Sequence, residues 1–139
     1  MKKLLYSFLI LSSATLFAQK KLAVAENMIG TEDLFKSAGS RIQVLKVYNS
    51  AASLPANLKK YSSVFTNGVT VYKSSKSIGF DKMALSQLNS QIDIPADNSV
   101  FIDGYEFTDS STKIFTAIMA KTEKKDYNGK PTLFIYTTK

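Results

Sequence analysis

Apolar positions along the chain change period several times. Leu54, Leu58, Tyr61 and Phe65 fall at spacings of four, three and four, along one side of a helix that Ser53-Leu54-Pro55 opens, which turns Lys59 and Lys60 to water. Asn67-Gly68 closes that helix. The same dipeptide between Val64-Phe65 and Val69-Val71 also suits a hairpin, but the longer apolar period favours the helix. Asp81 to Gln91 predicts a second helix, with Asp81 as its cap, Met83 or Ala84 with Leu85 and Leu88 as its buried stripe, and Ile94-Pro95 as its stop. Thr31 before Glu32 and Asp33 starts a shorter one that Gly39 ends.

Between these segments the period shortens to two. Arg41 to Tyr48, a β-branched and aromatic run too short for a stable helix of its own, is expected as a strand. Val69 to Lys73 alternates Val69, Val71 and Lys73 with Thr70 and Tyr72, the pattern of a partly exposed strand. Lys73 to Ser77 reads as a loop. Val100-Phe101-Ile102, Asp103-Gly104 and Tyr105-Glu106-Phe107 make a two-residue hairpin, because Asp and Gly accept positive φ. Lys113 to Thr122 and Thr132 to Thr138 follow as strands with apolar residues on both sides, separated by a polar segment holding Asn128-Gly129, and they form a second hairpin. Gln19 to Gly30 stays open between a short strand and an N-terminal extension. The fold class that results is α+β: two or three short helices, a mainly antiparallel sheet and a β-rich C-terminal half.

The first eighteen residues carry a different pattern. Lys2 and Lys3 precede an apolar stretch from Leu4 to Phe17 that includes Ser7, Ser12, Ser13 and Thr15, too short and too polar for a spanning helix and of the length of a cleavable export signal. Ala18 is the preferred cleavage residue, and Ser12 with Ala14 gives a better-spaced alternative. The division expected is a signal peptide over 1–18, the open segment over 19–30 and one α+β domain over 31–139, with no repeat or linker tract to suggest more. The destination is a bacterial periplasm or the exterior, and the mature protein is not expected to span a membrane.

Composition narrows the chemistry. With 139 residues, 45% hydrophobic and 21% charged, the chain is globular in type and large enough to fold without a covalent staple. It has neither cysteine nor histidine, which excludes thiol nucleophiles, imidazole bases, zinc sites built on them, disulfides and an N-terminal lipid. The formal charge is +7, or +5 once Lys2 and Lys3 leave with the signal. Lys59-Lys60, Lys73 with Lys76, and Lys121, Lys124, Lys125 and Lys130 form basic groupings suited to anionic partners. Glu123 and Asp126 interrupt the densest of these. A single arginine, Arg41, argues against specific nucleic-acid recognition.

Besides Lys and Tyr, the acids are the remaining acid–base candidates; Asp93, Asp97, Asp103 and Glu106 lie near one another in sequence, and a pair such as Asp103 and Glu106 would suit glycan hydrolysis if folding brought them into one cleft. Turn-forming and solvated roles weigh more heavily. Asp93 to Asn98 fails as a calcium loop, with Pro95 at a ligand position and Asn98 where a turn glycine belongs. No metal or cofactor is expected. Among the tyrosines, Tyr72 and Tyr105 are the members expected to be exposed for stacking on a sugar or anchoring a protein. Phe101-Ile102-Asp103-Gly104 and Leu133 to Lys139 resemble strand elements of plug domains from outer-membrane TonB-dependent receptors; no transport function is carried over from this. The sequence points to an exported envelope protein that binds a protein or glycan through a sheet face or hairpin, using Tyr72, Tyr105, Lys59, Lys60, Lys124 and Lys125. A small carboxylate hydrolase and an inhibitor of an exported enzyme are the alternatives.

Overall fold

The segment that carried no clear period becomes the middle of a sheet. Leu22–Ala25 (β1) and Met28–Thr31 (β2) form an antiparallel hairpin whose eight residues are all buried. Its turn, Glu26-Asn27, holds φ at 53° and 64°, and the Asn side chain tolerates that left-handed backbone. Alternation is absent because both faces are covered. Leu22, Val24 and Ile29 enter one hydrophobic cluster, while Ala23, Ala25 and Met28 enter another.

A computed structural model describes residues 20–75 and 79–139. The segment expected to be an export signal and Lys76 lie outside these. Around the hairpin stand α1 (Glu32–Ser37), β3 (Ile42–Tyr48), β4 (Val69–Ser74), β5 (Lys82–Ala84), α2 (Leu85–Gln91), β6 (Val100–Ile102), β7 (Tyr105–Phe107), β8 (Lys113–Phe115), β9 (Lys121–Tyr127) and β10 (Lys130–Tyr136). The fold is α+β, with ten described strands in two mixed sheets, ordered β3-β4-β1-β2-β8-β5 and β7-β6-β10-β9. Three pairings, β1–β4, β2–β8 and β6–β10, are parallel, and the other five are antiparallel.

One core cluster takes Val24, Ile29 and Ile114 from the first sheet, Ile102 and Ile135 from the second, Leu58 and Tyr61 from the segment before β4, and Leu85 from α2. The second cluster lies where α1 packs on the first sheet, centred on Phe35. Thr31 caps α1 as its sequence predicts, its Oγ1 accepting from the Leu34 N–H at 3.1 Å, and Gly39 with φ +64° takes the chain out of it.

Three expectations are corrected. Leu54, Leu58, Tyr61 and Phe65 are buried, but the segment winds as 3-10 turns over Ala51–Ser53 and Ala56–Tyr61 instead of an α-helix. So short a stretch gains little from helix propagation, and packing decides its winding. The helix expected from Asp81 begins only at Leu85, because Lys82–Ala84 is taken by pairing with β8. The Gln87 side chain, not Asp81, accepts the Ala84 N–H. The strand expected over Lys113 to Thr122 breaks at a 3-10 turn, Thr116–Ile118, and the polar connector after it is itself strand β9. The turns Asp103-Gly104 and Asn128-Gly129 have the paired positive φ values their hairpins require. Among the described residues no helix is long and apolar enough to cross a membrane.

Candidate functional site

A sheet edge presents unpaired N–H and C=O groups, and proteins blunt such edges by shortness, charge, cover or a bulge, of which β3 has only a single bulge and one lysine. This fold has four such edges. β5 and β7 are three residues long. β9 has seven residues but reads Lys-Thr-Glu-Lys-Lys-Asp-Tyr, so charge guards it. β3 also has seven residues, and Val44, Leu45 and Val47 are 55%, 61% and 51% exposed. It is the one long described edge whose outward side chains are chiefly apolar.

Local sequence explains how β3 becomes so exposed. Gln43 and Val44 pair with Lys73 and Tyr72, whereas Lys46 pairs with Val71, so Leu45 has no partner across the ladder. The bulge bends the strand and turns the Leu45 side chain outward. Behind it β4 is tied in parallel to β1 through Val24↔Val71, which anchors the edge to the buried hairpin. Lys46 and Lys73 take part in no ion pair among the described residues, all six of whose pairs lie elsewhere. The edge is therefore apolar, with two lysines outside these ion pairs against one nearby acid, Glu26. Sequence reasoning found the strand and missed the edge; the signal was Val44-Leu45, two adjacent large residues that break the alternation begun by Ile42-Gln43-Val44.

The residues singled out from sequence are dispersed. Tyr72 is a correction: it is 6% exposed, its ring lies 5.0 Å from that of Phe35, and burial pushes its hydroxyl above the usual tyrosine range. Helix α1 covers the face that alternation alone assigned to solvent. Tyr105 is exposed, in a shallow cavity beside Leu22, Phe65 and Lys21. Lys59 Nζ donates to the Ala52 carbonyl at 2.8 Å, and Lys124 Nζ to that of Ile92 at 2.7 Å. Lys125 lies 4.5 Å from the Phe134 ring centroid and 3.6 Å from Glu123.

Lys60 Nζ and the Asp109 carboxylate meet at 2.7 Å. Donation from Lys60, then from the Ser111 hydroxyl and N–H, holds Asp109 down at about 2. A depressed carboxylate stabilises the fold above its unfolded pKa of about 3.9 and loses that contribution as pH falls toward 2. Both side chains are more than a third exposed, so solvent limits the gain to about 1 kcal/mol or less. Lys60→Ala should raise the Asp109 carboxyl titration toward ordinary aspartate values, read by carbon NMR, and narrow the stability difference between pH 5 and pH 2.

Asp103 and Glu106 do not share a cleft. Asp103 is buried in its hairpin turn and accepts from the Thr137 N–H at 2.9 Å and the Thr137 hydroxyl at 2.5 Å. Glu106 instead lines a cavity of about 250 Å³ with Asp97, Asn98, Phe101 and Tyr127. Asp103→Ala leaves the Thr137 donors without this acceptor and should cost about 1–3 kcal/mol in urea unfolding. Asp103→Asn, which keeps one carbonyl acceptor and tolerates φ of 50°, should recover part of that. Among the described residues there is no group of three acids placed to hold a metal ion. Compared with known protein families, curated proteins and solved structures, the chain matches none.

Proposed function

We propose that this chain is a binding protein that works by contact, receiving an extended segment of another protein as an added strand on β3. The observation that carries the reading is the contrast among edges: β5 and β7 are short, β9 is charged, and β3 is long and apolar. Strand addition draws affinity from main-chain hydrogen bonds and specificity from alternate side chains. The Lys2-Lys3 head and the apolar run to Phe17 support an exported protein of the bacterial envelope, in the periplasm or outside the cell.

The test is site-specific photo-cross-linking in the producing cells, with benzoylphenylalanine at position 45 or 47 on β3 and at 122 or 126 on β9. A discrete adduct with another protein from β3 alone is expected. The double substitution Val44→Lys with Val47→Lys should abolish it while changing stability by no more than about 0.5 kcal/mol, since both sites are exposed. Adducts from β9 alone, or between copies alone, contradict the reading. If the captured partner is an enzyme, stoichiometric loss of its activity identifies an inhibitor.

A glycan reading has one observation in its favour. Tyr127 is exposed beside the stacked rings of Phe101 and Phe134, 4.9 Å apart, and Asp97, Asn98 and Glu106 ring the same cavity, the mixture of aromatic surface and polar groups that holds a sugar. Binding to an envelope oligosaccharide array, lost in Tyr127→Ala and kept in Val44→Lys with Val47→Lys, would favour this reading over the β3 edge.

A further inference from the structure

The bulge that exposes Leu45 also shapes a cavity. Leu45 and Tyr48 of β3, Val24 and Val71 from the strands behind, and Leu58 with Asn57 from the 3-10 segment enclose about 280 Å³. That is below the roughly 300–1,000 Å³ of pockets that take drug-sized ligands; its scale is that of one large side chain. Because β3 supplies part of its wall, the cavity lies within reach of a strand laid along that edge. Residues of an added strand alternate between faces, so one face offers a side chain beside Leu45.

Charge fixes the rest of the occupant. Lys73 lines the cavity and Lys46 stands on the strand, both outside any ion pair among the described residues. Glu26 lines the cavity too and accepts from the Ser74 hydroxyl; it offsets one of the two lysines and leaves one net positive charge beside the edge. A second copy of the chain is a poor match, since antiparallel pairing of β3 with itself brings two Lys46 residues into one short ladder between two chains that each stay at +5 without Lys2 and Lys3.

Resting on the β3 reading, we propose that the cavity beside Leu45 is a specificity pocket, which takes one large apolar anchor, an aromatic foremost, from an extended partner segment carrying aspartate or glutamate within two residues of it. Main-chain pairing along β3 supplies general affinity, the anchor selects among strands, and Lys46 and Lys73 set the sign of its flanks. Buried aromatic anchors commonly dominate such interfaces.

The experiment presents the full chain to a phage-displayed library of random ten-residue peptides and maps a selected peptide by amide NMR. A consensus with one large apolar position flanked by acids is expected, with shifts at Leu45, Tyr48 and Val71. In a selected peptide, alanine at the anchor should weaken binding at least about tenfold, and Leu45→Ala in the protein, an exposed change that leaves the core intact, should halve that discrimination or more. Enrichment with shifts along β3 but equal affinity for anchor and alanine peptides overturns the pocket and leaves the edge reading standing. Selected peptides that shift residues elsewhere, or no enrichment over a protein-free control, overturn the edge reading and the pocket with it. A basic consensus overturns the assigned charge.

Discussion

Phe35→Ala should remove about 3–5 kcal/mol of folding stability, the range for truncating a fully buried Phe. Phe35 is completely buried and stands at the centre of the smaller cluster, its ring 5.0 Å from Tyr72 and 5.4 Å from Phe115, edge to face with the latter. The space left by its removal is hard to close. Beneath the ring is Gly30, where an added Cβ would lie 2.5 Å from the ring tip, so β2 approaches α1 as closely as a backbone can. The strands flanking the void are held in the sheet by β1–β2 and β2–β8 pairing and cannot move in to fill it. Domains of this kind have about 5–15 kcal/mol in total, so the variant should unfold at markedly lower urea concentration. A loss below about 1 kcal/mol would mean that α1 is not seated on the sheet as described.

Gly68→Ala should be as damaging, by another route. Gly68 has φ of +90°, and a Cβ there would fall 1.8 Å from the Tyr48 carbonyl oxygen and 2.8 Å from the Asn49 carbonyl carbon. These are backbone atoms with no rotamer to change, so the turn leading into β4 must separate from the end of β3. Gly104→Ala provides the comparison. Its φ is +85° with no atom within 4 Å of the added methyl, which isolates the conformational cost at about 1–2 kcal/mol. The excess for Gly68 should be at least about 2 kcal/mol more, or the variant should fail to fold. Since the clash is with Tyr48, loss of the proposed partner binding through β3 should accompany it. Equal destabilisation at the two positions would refute the close contact.

What the sequence showed and hid follows from how local each interaction is. The Thr31 cap and the Asp103-Gly104 and Asn128-Gly129 turns were legible because their physics is confined to neighbouring residues. The apolar set Leu54, Leu58, Tyr61 and Phe65 was legible as a buried face, but not its 3-10 winding, which packing decides. Leu22 to Thr31 hid its two strands because burial on both faces erases alternation. Glu123 to Tyr127 passed for a connector because edge strands carry the charges that loops also carry. Tyr72 alternated as a surface residue should, and α1, folded from distant residues, covers it. The candidate site was half visible: Arg41 to Tyr48 read as a strand, but its place at the rim depends on the parallel β1–β4 pairing, which no local pattern encodes.

The edge reading is tested most directly by residue-resolved amide hydrogen exchange of the full chain, alone and saturated with the partner captured from β3. Strand addition predicts that alternate amides within 42–48 slow strongly on binding, while β9 and the Phe101–Phe134 face stay as they were. Protection on the second sheet with residues 42–48 unchanged would contradict it.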